Sequence, residues 1–144
     1  MSVSPPPDAP ILVTGAASGI GAEVVSRLLA AGRRVIALDR TPIASSPAEG
    51  ILVALTDRRA VDELAADLPP LAGLVNVAGV PGTAASDVVW QVNLLGLRAL
   101  SEQVMGRMVP GATVVNVSSA VAEGWRARLP LLNRLVQAPD WPAV

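Results

Sequence analysis

The residues best suited to chemistry in this sequence are three glycines between two apolar segments. They occur in the stretch VTGAASGIG, residues 13–21, with the spacing GxxxGxG at Gly15, Gly19 and Gly21. Glycines between a strand and a helix let backbone N–H groups and the positive end of the helix dipole face a phosphate. They also let a pyrophosphate approach the backbone closely. The spacing therefore predicts a dinucleotide site, although a glycine-rich turn without a ligand has the same pattern.

One carboxylate strengthens this prediction. Asp39 ends the next apolar run, RVIALD, 18 residues after Gly21, where a carboxylate accepts hydrogen bonds from an adenosine ribose. A carboxylate there repels a 2′-phosphate, and no basic residue precedes Gly19, so NAD is favoured over NADP. The adjacent Arg40 is the argument for NADP, although a solvated surface charge is its simpler interpretation.

The residue types that the chain lacks restrict its chemistry. Its 144 residues contain no cysteine, histidine, tyrosine or lysine, which removes thiol chemistry, the usual zinc sites and most general acids and bases. A net charge of −1 with scattered arginines gives no basic surface for nucleic acid. No apolar run reaches the roughly 20 residues needed to cross a bilayer. The N-terminus lacks the features of a signal peptide, and we therefore expect a cytoplasmic protein without a metal.

The elements that must position these residues alternate between strands and helices. Five apolar runs predict strands: ILVT, RVIALD, GILVAL, LAGLVNVAG and ATVVNVSS. Nearly continuous apolar strands joined through helices are typical of a parallel sheet that helices cover on both faces. The sequence therefore predicts an α/β fold with a doubly wound, Rossmann-type sheet.

Helical periodicity and capping residues predict the helix limits. The first helix follows the glycine loop and ends before Gly32, which suits a left-handed C-terminal cap. The second begins at a cap formed by Thr56 or Asp57 and stops before two prolines. The third is long, over residues 86–108, and is ended by Pro110 and Gly111.

Four motifs in chain order resemble those of the short-chain dehydrogenase/reductase family. The family's TGxxxGxG corresponds to residues 14–21, its NNAG to NVAG at 76–79, its helix asparagine to Asn93 in QVNLLG, and its VNxSS to residues 115–119. The resemblance runs from Ile11 onward. It implies the first five strands of a Rossmann-type sheet. It also implies hydride transfer between a nicotinamide cofactor and a carbonyl or secondary alcohol of a small molecule.

The resemblance also assigns individual residues. Ser119 would hydrogen-bond the substrate oxygen, and Asn93 would hold a water of the proton relay. Ser119 is preferred to Ser118 because the second serine of the pair is the family's catalytic one. Each motif also has a purely structural interpretation, because such residues can simply tie a strand to a loop. The cofactor-binding residues would be Gly15, Ser18, Gly19, Ile20, Gly21, Asp39, Asn76, Ala78 and Gly79.

Two departures from the family pattern concern the site. The family's aspartate after the third strand, which binds the adenine amino group, corresponds to Ala54. Asp57 lies three residues later, where a helix cap is its expected role. The family's YxxxK acid/base pair cannot occur in a chain that has neither residue type.

The C-terminal stretch suggests where that pair would lie. Residues 120–141 resemble the helical insertion of hydroxysteroid dehydrogenase/carbonyl reductases and coniferyl-alcohol-type dehydrogenases, which separates the serine from the tyrosine. We therefore predict a chain truncated before YxxxK. Residues 1–10 would be a disordered lead-in, 11–121 an NAD-binding domain and 122–144 the start of the insertion. The fifth strand would then be an open edge that promotes self-association or aggregation.

Three kinds of function follow from these observations. The first is a short-chain dehydrogenase cut off before its acid/base pair and therefore inactive alone. The second is a non-catalytic NAD-binding module, and the third is a structural or partner-binding remnant. Nucleotide binding separates the third from the other two.

Overall fold

Five parallel strands form the centre of the molecule. The computed structural model describes residues 3–43 and 47–137, and within them the strand order is β3-β2-β1-β4-β5 with every pair parallel. This confirms the predicted Rossmann-type α/β fold with its five strands. The strands are β1 (Ile11–Thr14), β2 (Val35–Asp39), β3 (Glu49–Leu52), β4 (Leu71–Asn76) and β5 (Met108–Asn116).

Helices cover both faces of this sheet. On one face, α1 (Gly19–Ala30) packs its Val25 against Val13 and Val35. On the other, α2 (Arg58–Asp67) and α4 (Leu97–Met105) pack against Leu12 and Leu74. The middle strands are apolar except at their carboxyl ends, because both of their faces are buried. The helices are α1 (Gly19–Ala30), α2 (Arg58–Asp67), α3 (Ser86–Trp90), a π-helical segment (Gln91–Gly96), α4 (Leu97–Met105) and α5 (Leu129–Val136), with 3₁₀ turns at Ala120–Ala122 and Trp125–Arg128.

Two predicted helix caps are present. Gly32 has a φ of 73° and donates its N–H to the carbonyl of Leu29 at 2.9 Å, which closes the end of α1 as expected for a left-handed cap. At the start of α2, the Asp57 carboxylate accepts the N–H of Ala60 at 3.0 Å. Asp57 rather than Thr56 is therefore the N-cap.

The predicted boundary between the third helix and the fifth strand is wrong. The helix was expected to reach Met108 and to be ended by Pro110 and Gly111, but α4 ends at Met105 and β5 already begins at Met108. Arg107 fixes this turn, because its guanidinium donates to the carbonyls of Leu68 at 2.7 Å and Ala66 at 2.5 Å. The proline and glycine lie inside β5, where the register with β4 is irregular.

The segment before β1 contacts the amino-terminal end of the sheet. The carbonyl of Pro10 accepts the N–H of Ala72 at 2.8 Å, and that of Asp8 accepts a guanidinium N–H of Arg34 at 3.1 Å. A Cβ at Gly111 would overlap the carbonyl oxygen of Val3. Residues 1–2 of the predicted lead-in and 138–144 of the predicted insertion lie outside the described residues.

Strand β5 forms one edge of the sheet. Within the described residues it pairs with β4 alone, and its end exposes Val114 (38%), Val115 (48%) and Val117 (42%). Helix α5 also exposes apolar side chains, including Leu131 and Val136. Self-association through this edge stays a prediction. No helix in the described part of the chain is long and apolar enough to span a membrane.

Candidate functional site

The glycine loop between β1 and α1 is built from close backbone contacts. Gly15 and Gly19 have φ values of 68° and 52°, a region that side-chain-bearing residues rarely adopt. A Cβ at Gly15 would lie 2.8 Å from the Cα and N of Ala78, and one at Gly21 would lie 2.6 Å from the carbonyl carbon of Gly15. Gly15 and Gly21 thus bring the loop against the segment after β4 and against the start of α1, whereas Gly19 is distinguished by its positive φ alone.

A cleft of about 460 Å³ opens at the carboxyl ends of the strands. Its volume is within the range of ligand sites, and it lies where β1 is flanked by β2 on one side and β4 on the other, the usual ligand position in such sheets. Eight of the predicted cofactor-binding residues line it, namely Gly15, Ser18, Gly19, Ile20, Gly21, Asp39, Ala78 and Gly79. Its other lining residues are Leu38, Arg40, Thr41, Val53, Ala54, Leu55, Thr56, Val77, Val80 and Val92.

Asp39 holds two parts of this cleft together. Its Oδ2 accepts the N–H of Ala17 in the glycine loop at 3.0 Å, and its Oδ1 accepts both the N–H and the hydroxyl of Thr41 at 2.9 Å. Partial burial alone would raise the pKa of Asp39, but these hydrogen bonds outweigh it, and the pKa lies below its ordinary value. The side chain is therefore an ionised hydrogen-bond acceptor at neutral pH.

Thr14 makes a contact that was not predicted from the sequence. Its side chain is 1% exposed, and its hydroxyl oxygen accepts the N–H groups of Val77 and Ala78, each at 3.1 Å. The end of β1 thereby fixes the segment after β4 that forms one wall of the cleft. The signal in the sequence is a threonine that ends an apolar strand directly before a glycine.

Asn76 lies behind the cleft rather than on its surface. It is 1% exposed, and its Nδ2 donates to the hydroxyl of Ser101 at 3.0 Å and to Oδ1 of Asn116 at 2.8 Å. Ser101 in turn donates to the carbonyl of Leu97 at 2.7 Å. In the described contacts, Asn76 joins β4 to α4 and β5, and any contact with a cofactor stays a prediction.

Asn93 lies in the π-helical segment and binds the wall of the cleft. Its Oδ1 accepts the N–H of Val80 at 2.8 Å, and its Nδ2 donates to the carbonyl of Val80 at 2.9 Å. At the end of the same segment, a Cβ on Gly96 would overlap the carbonyl oxygen of Leu55. The helix is thus held against the cleft on two sides.

Ser119 lies three residues after the end of β5. The end of β5 is aligned with the end of β4, because the N–H of Val117 donates to the carbonyl of Asn76 at 2.9 Å. The Ser119 hydroxyl oxygen accepts the N–H of Val121 at 3.3 Å and caps a 3₁₀ turn. It is exposed and is not among the residues that line the cleft. Its role toward a substrate stays a prediction, as does the water-holding role of Asn93.

The fold, the glycine loop and Asp39 define a dinucleotide-binding type of α/β protein, and comparison with known proteins gives the family. The sequence profile of the family described as short chain dehydrogenase matches residues 9–130. The chain therefore belongs to the short-chain dehydrogenase family, as the motifs predicted.

Individual relatives agree with this assignment. The chain is 42% identical to a coniferyl-alcohol dehydrogenase of Pseudomonas sp. (strain HR199 / DSM 7063) over 126 residues, which cover 87% of this chain and 49% of the relative. It is 35% identical to an L-xylulose reductase of Mus musculus, over 78% of this chain and 53% of the relative. The chain thus spans about half the length of these relatives.

A solved structure has the same fold. It is a short-chain dehydrogenase/reductase superfamily protein from Agrobacterium tumefaciens with bound NAD, and it matches with a TM-score of 0.63 and 26% identity. The match covers 76% of this chain and 32% of that protein. No group of three or more potential metal-binding side chains occurs in the described residues.

Proposed function

We propose that this chain binds NAD(H) in the cleft and supplies the cofactor site of an oxidoreductase. The reaction would be hydride transfer between the nicotinamide and a carbonyl or secondary alcohol carbon of a small molecule. The observation that carries the proposal is Asp39, which places an ionised carboxylate at the end of β2, hydrogen-bonded to the glycine loop.

The carboxylate keeps capacity for a ribose hydroxyl. Oδ1 accepts two donors and Oδ2 accepts one, and the backbone N–H of Arg40 is a further contact of the carboxylate. Each oxygen of an ionised carboxylate offers about two acceptor sites, so we expect a ribose hydroxyl to donate to Oδ2, and a 2′-phosphate would meet like charge. Arg40 lines the same cleft and is the one basic side chain among its described lining residues, so titration with both dinucleotides tests the preference for NAD over NADP.

Binding can be tested by titration calorimetry with NAD and NADP on the chain and on Asp39→Ala. Losing a hydrogen bond to a charged group costs about 1.5–3 kcal/mol, so the variant should bind NAD roughly ten- to a hundred-fold more weakly. NADP should bind the variant at least as well as it binds the unchanged chain, because the repulsion is removed.

Glu63→Gln is a matched control for this experiment. It changes the net charge by the same amount, but Glu63 is exposed on α2 and pairs with Arg59 at 2.7 Å. Its NAD affinity should not change. Equal affinity of the unchanged chain for NAD and NADP, or no loss in Asp39→Ala, would contradict the role assigned to Asp39.

The catalytic part of the proposal predicts binding without turnover. In the complete reaction, Ser119 would hydrogen-bond the substrate oxygen and Asn93 would hold a water. Hydride transfer to a carbonyl leaves an alkoxide, and a positioned acid that protonates it contributes roughly 10²–10⁴ in rate. The 144 residues contain no tyrosine, lysine or histidine, and an arginine guanidinium does not release protons near neutral pH.

The assay is NADH oxidation with a panel of ketones, aldehydes and quinones. Turnover by these 144 residues at about 1 s⁻¹ or faster, abolished by Ser119→Ala, would refute this prediction, because another group within them would then supply the proton.

A further inference from the structure

The carboxylate of Asp39 is held from two segments of the chain. Thr41 donates both its backbone N–H and its hydroxyl to Oδ1, each at 2.9 Å. Ala17 in the glycine loop donates its N–H to Oδ2 at 3.0 Å. Thr41 therefore supplies both of the donors that one carboxylate oxygen readily accepts, and the glycine loop holds the other oxygen.

The hydroxyl of Thr41 differs from the other donors to this carboxylate. Those donors are the backbone N–H groups of Ala17, Arg40 and Thr41, which any residue type except proline would supply at the same positions. Among the described contacts of Asp39, the hydroxyl of Thr41 is the one side-chain donor. Its contribution therefore depends on the residue type at position 41.

A second donor on the same oxygen restricts the rotation of the carboxylate. The terminal torsion of an aspartate side chain is broad, and Asp39 is only partly buried, so packing restricts this rotation less than it would in the core. Two donors from one residue hold Oδ1 on the side of Thr41. A group that is ordered before its ligand arrives loses less conformational freedom on binding, so the ligand binds more tightly.

We propose that Thr41 is a positioning residue of the cofactor site. Its hydroxyl holds Oδ1 of Asp39, so that Oδ2 meets the ribose hydroxyl of the dinucleotide in one orientation. Thr41 thus strengthens binding through Asp39 and not through a contact of its own with the ligand. This inference rests on the proposed binding of NAD at Asp39.

The first measurement is NAD calorimetry on the unchanged chain, on Thr41→Val and on Thr41→Ser. Valine keeps the β-branched shape and the backbone N–H but has no side-chain donor, whereas serine keeps the hydroxyl. Thr41→Val should bind NAD about three- to ten-fold more weakly, the range of one hydrogen bond, and Thr41→Ser should bind it like the unchanged chain. Thr83→Val is the matched control, because Thr83 is exposed and is not among the residues that line the cleft, so its NAD affinity should not change.

A double-mutant cycle with Asp39→Ala separates positioning from direct contact. Thr41 itself lines the cleft, and a direct bond from its hydroxyl to NAD would also weaken binding when it is lost. The two cases differ once the carboxylate is absent. In the Asp39→Ala background, Thr41→Val should change the NAD affinity by less than about two-fold, because the group that it positions has been removed. A segment that only folds less well without the hydroxyl would lose affinity in both backgrounds.

The outcomes separate this inference from the proposal on which it rests. No NAD binding by the unchanged chain, or no loss in Asp39→Ala, would refute the cofactor role of Asp39 and this inference with it. A loss in Asp39→Ala together with unchanged or tighter binding by Thr41→Val would overturn the inference alone. An equal loss on Thr41→Val in both backgrounds would also overturn it, as would a Thr41→Ser variant that binds as weakly as Thr41→Val.

Discussion

Replacing Gly96 with alanine tests whether the helix that carries Asn93 is held against the wall of the cleft. The added Cβ would overlap the carbonyl oxygen of Leu55, lie 2.8 Å from the Leu55 Cβ and lie 2.9 Å from the carbonyl oxygen of Gln91. None of these atoms is at the end of a flexible side chain. The helix or the wall must therefore move.

The size of the effect follows from these distances. Real Cβ atoms essentially never approach another atom within 3.0 Å, so a backbone shift is needed to relieve the overlap with the Leu55 oxygen. Overpacking of this kind costs about 1–3 kcal/mol, while the higher helix propensity of alanine returns up to about 1 kcal/mol. We expect a net loss of roughly 1–2 kcal/mol in the free energy of unfolding. Because Leu55 lines the cleft, we also expect NAD to bind several-fold more weakly.

Urea unfolding and NAD calorimetry would be measured on the unchanged chain, on Gly96→Ala and on Gly106→Ala. Gly106 ends α4, and a Cβ there would meet its nearest neighbour, the carbonyl oxygen of Gln103, at an ordinary 3.7 Å. That control should unfold within about 0.5 kcal/mol of the unchanged chain. If Gly96→Ala matched the control in both stability and NAD affinity, the close approach of helix and wall would be refuted.

Three further predictions concern the same sheet. Thr14→Val leaves two backbone N–H groups without their acceptor at a cost of about 1–3 kcal/mol each, whereas Thr14→Ser keeps the hydroxyl; equal stability of the two variants in urea would contradict this. Folding lowers the pKa of Asp39. The ionised side chain therefore stabilises the folded state above the unfolded pKa of about 3.9, and this stabilisation is lost as the pH falls through the lower folded pKa. Acid unfolding followed by circular dichroism should therefore show an extra loss of stability below about pH 4, which Asp39→Asn lacks. The open edge of β5 predicts association by light scattering at roughly tens of micromolar, relieved by Val115→Lys; a monodisperse unchanged chain would argue against it.

The parts of the fold that depend on local sequence were predictable. Apolar runs gave the strands, and Gly32 gave the end of α1, because these features depend on neighbouring residues alone. The limit of α4 was missed because Pro110 and Gly111 are ordinary helix terminators. The helix instead ends at Gly106, and the next residue, Arg107, is held by the carbonyls at the distant end of α2. Such a contact depends on which helices become neighbours, and periodicity does not contain that information.

The same distinction separates the predicted and the missed residues of the site. The glycine loop and Asp39 belong to consecutive elements, and their spacing is a short-range signal. Thr14 acts on residues 63 and 64 positions away, and Gly96 acts on the backbone of Leu55, which lies in another loop. Their roles appear once the strand order is known, because only then are the facing segments identified.

The central position of β1 in the sheet has a consequence for how the chain matures during synthesis. Ile11 aligns with Val35 of β2, 24 residues later, and with Gly73 of β4, 62 residues later. Contacts between nearby segments form sooner than distant ones, and domains begin to order as they emerge from the ribosome. The segments that carry the glycine loop and Asp39 are therefore both synthesised before β4, whose arrival completes the pairing of β1. The part of the cleft formed by the glycine loop and Asp39 comes from the first third of the chain, and the wall formed by residues 77–80 is synthesised afterwards.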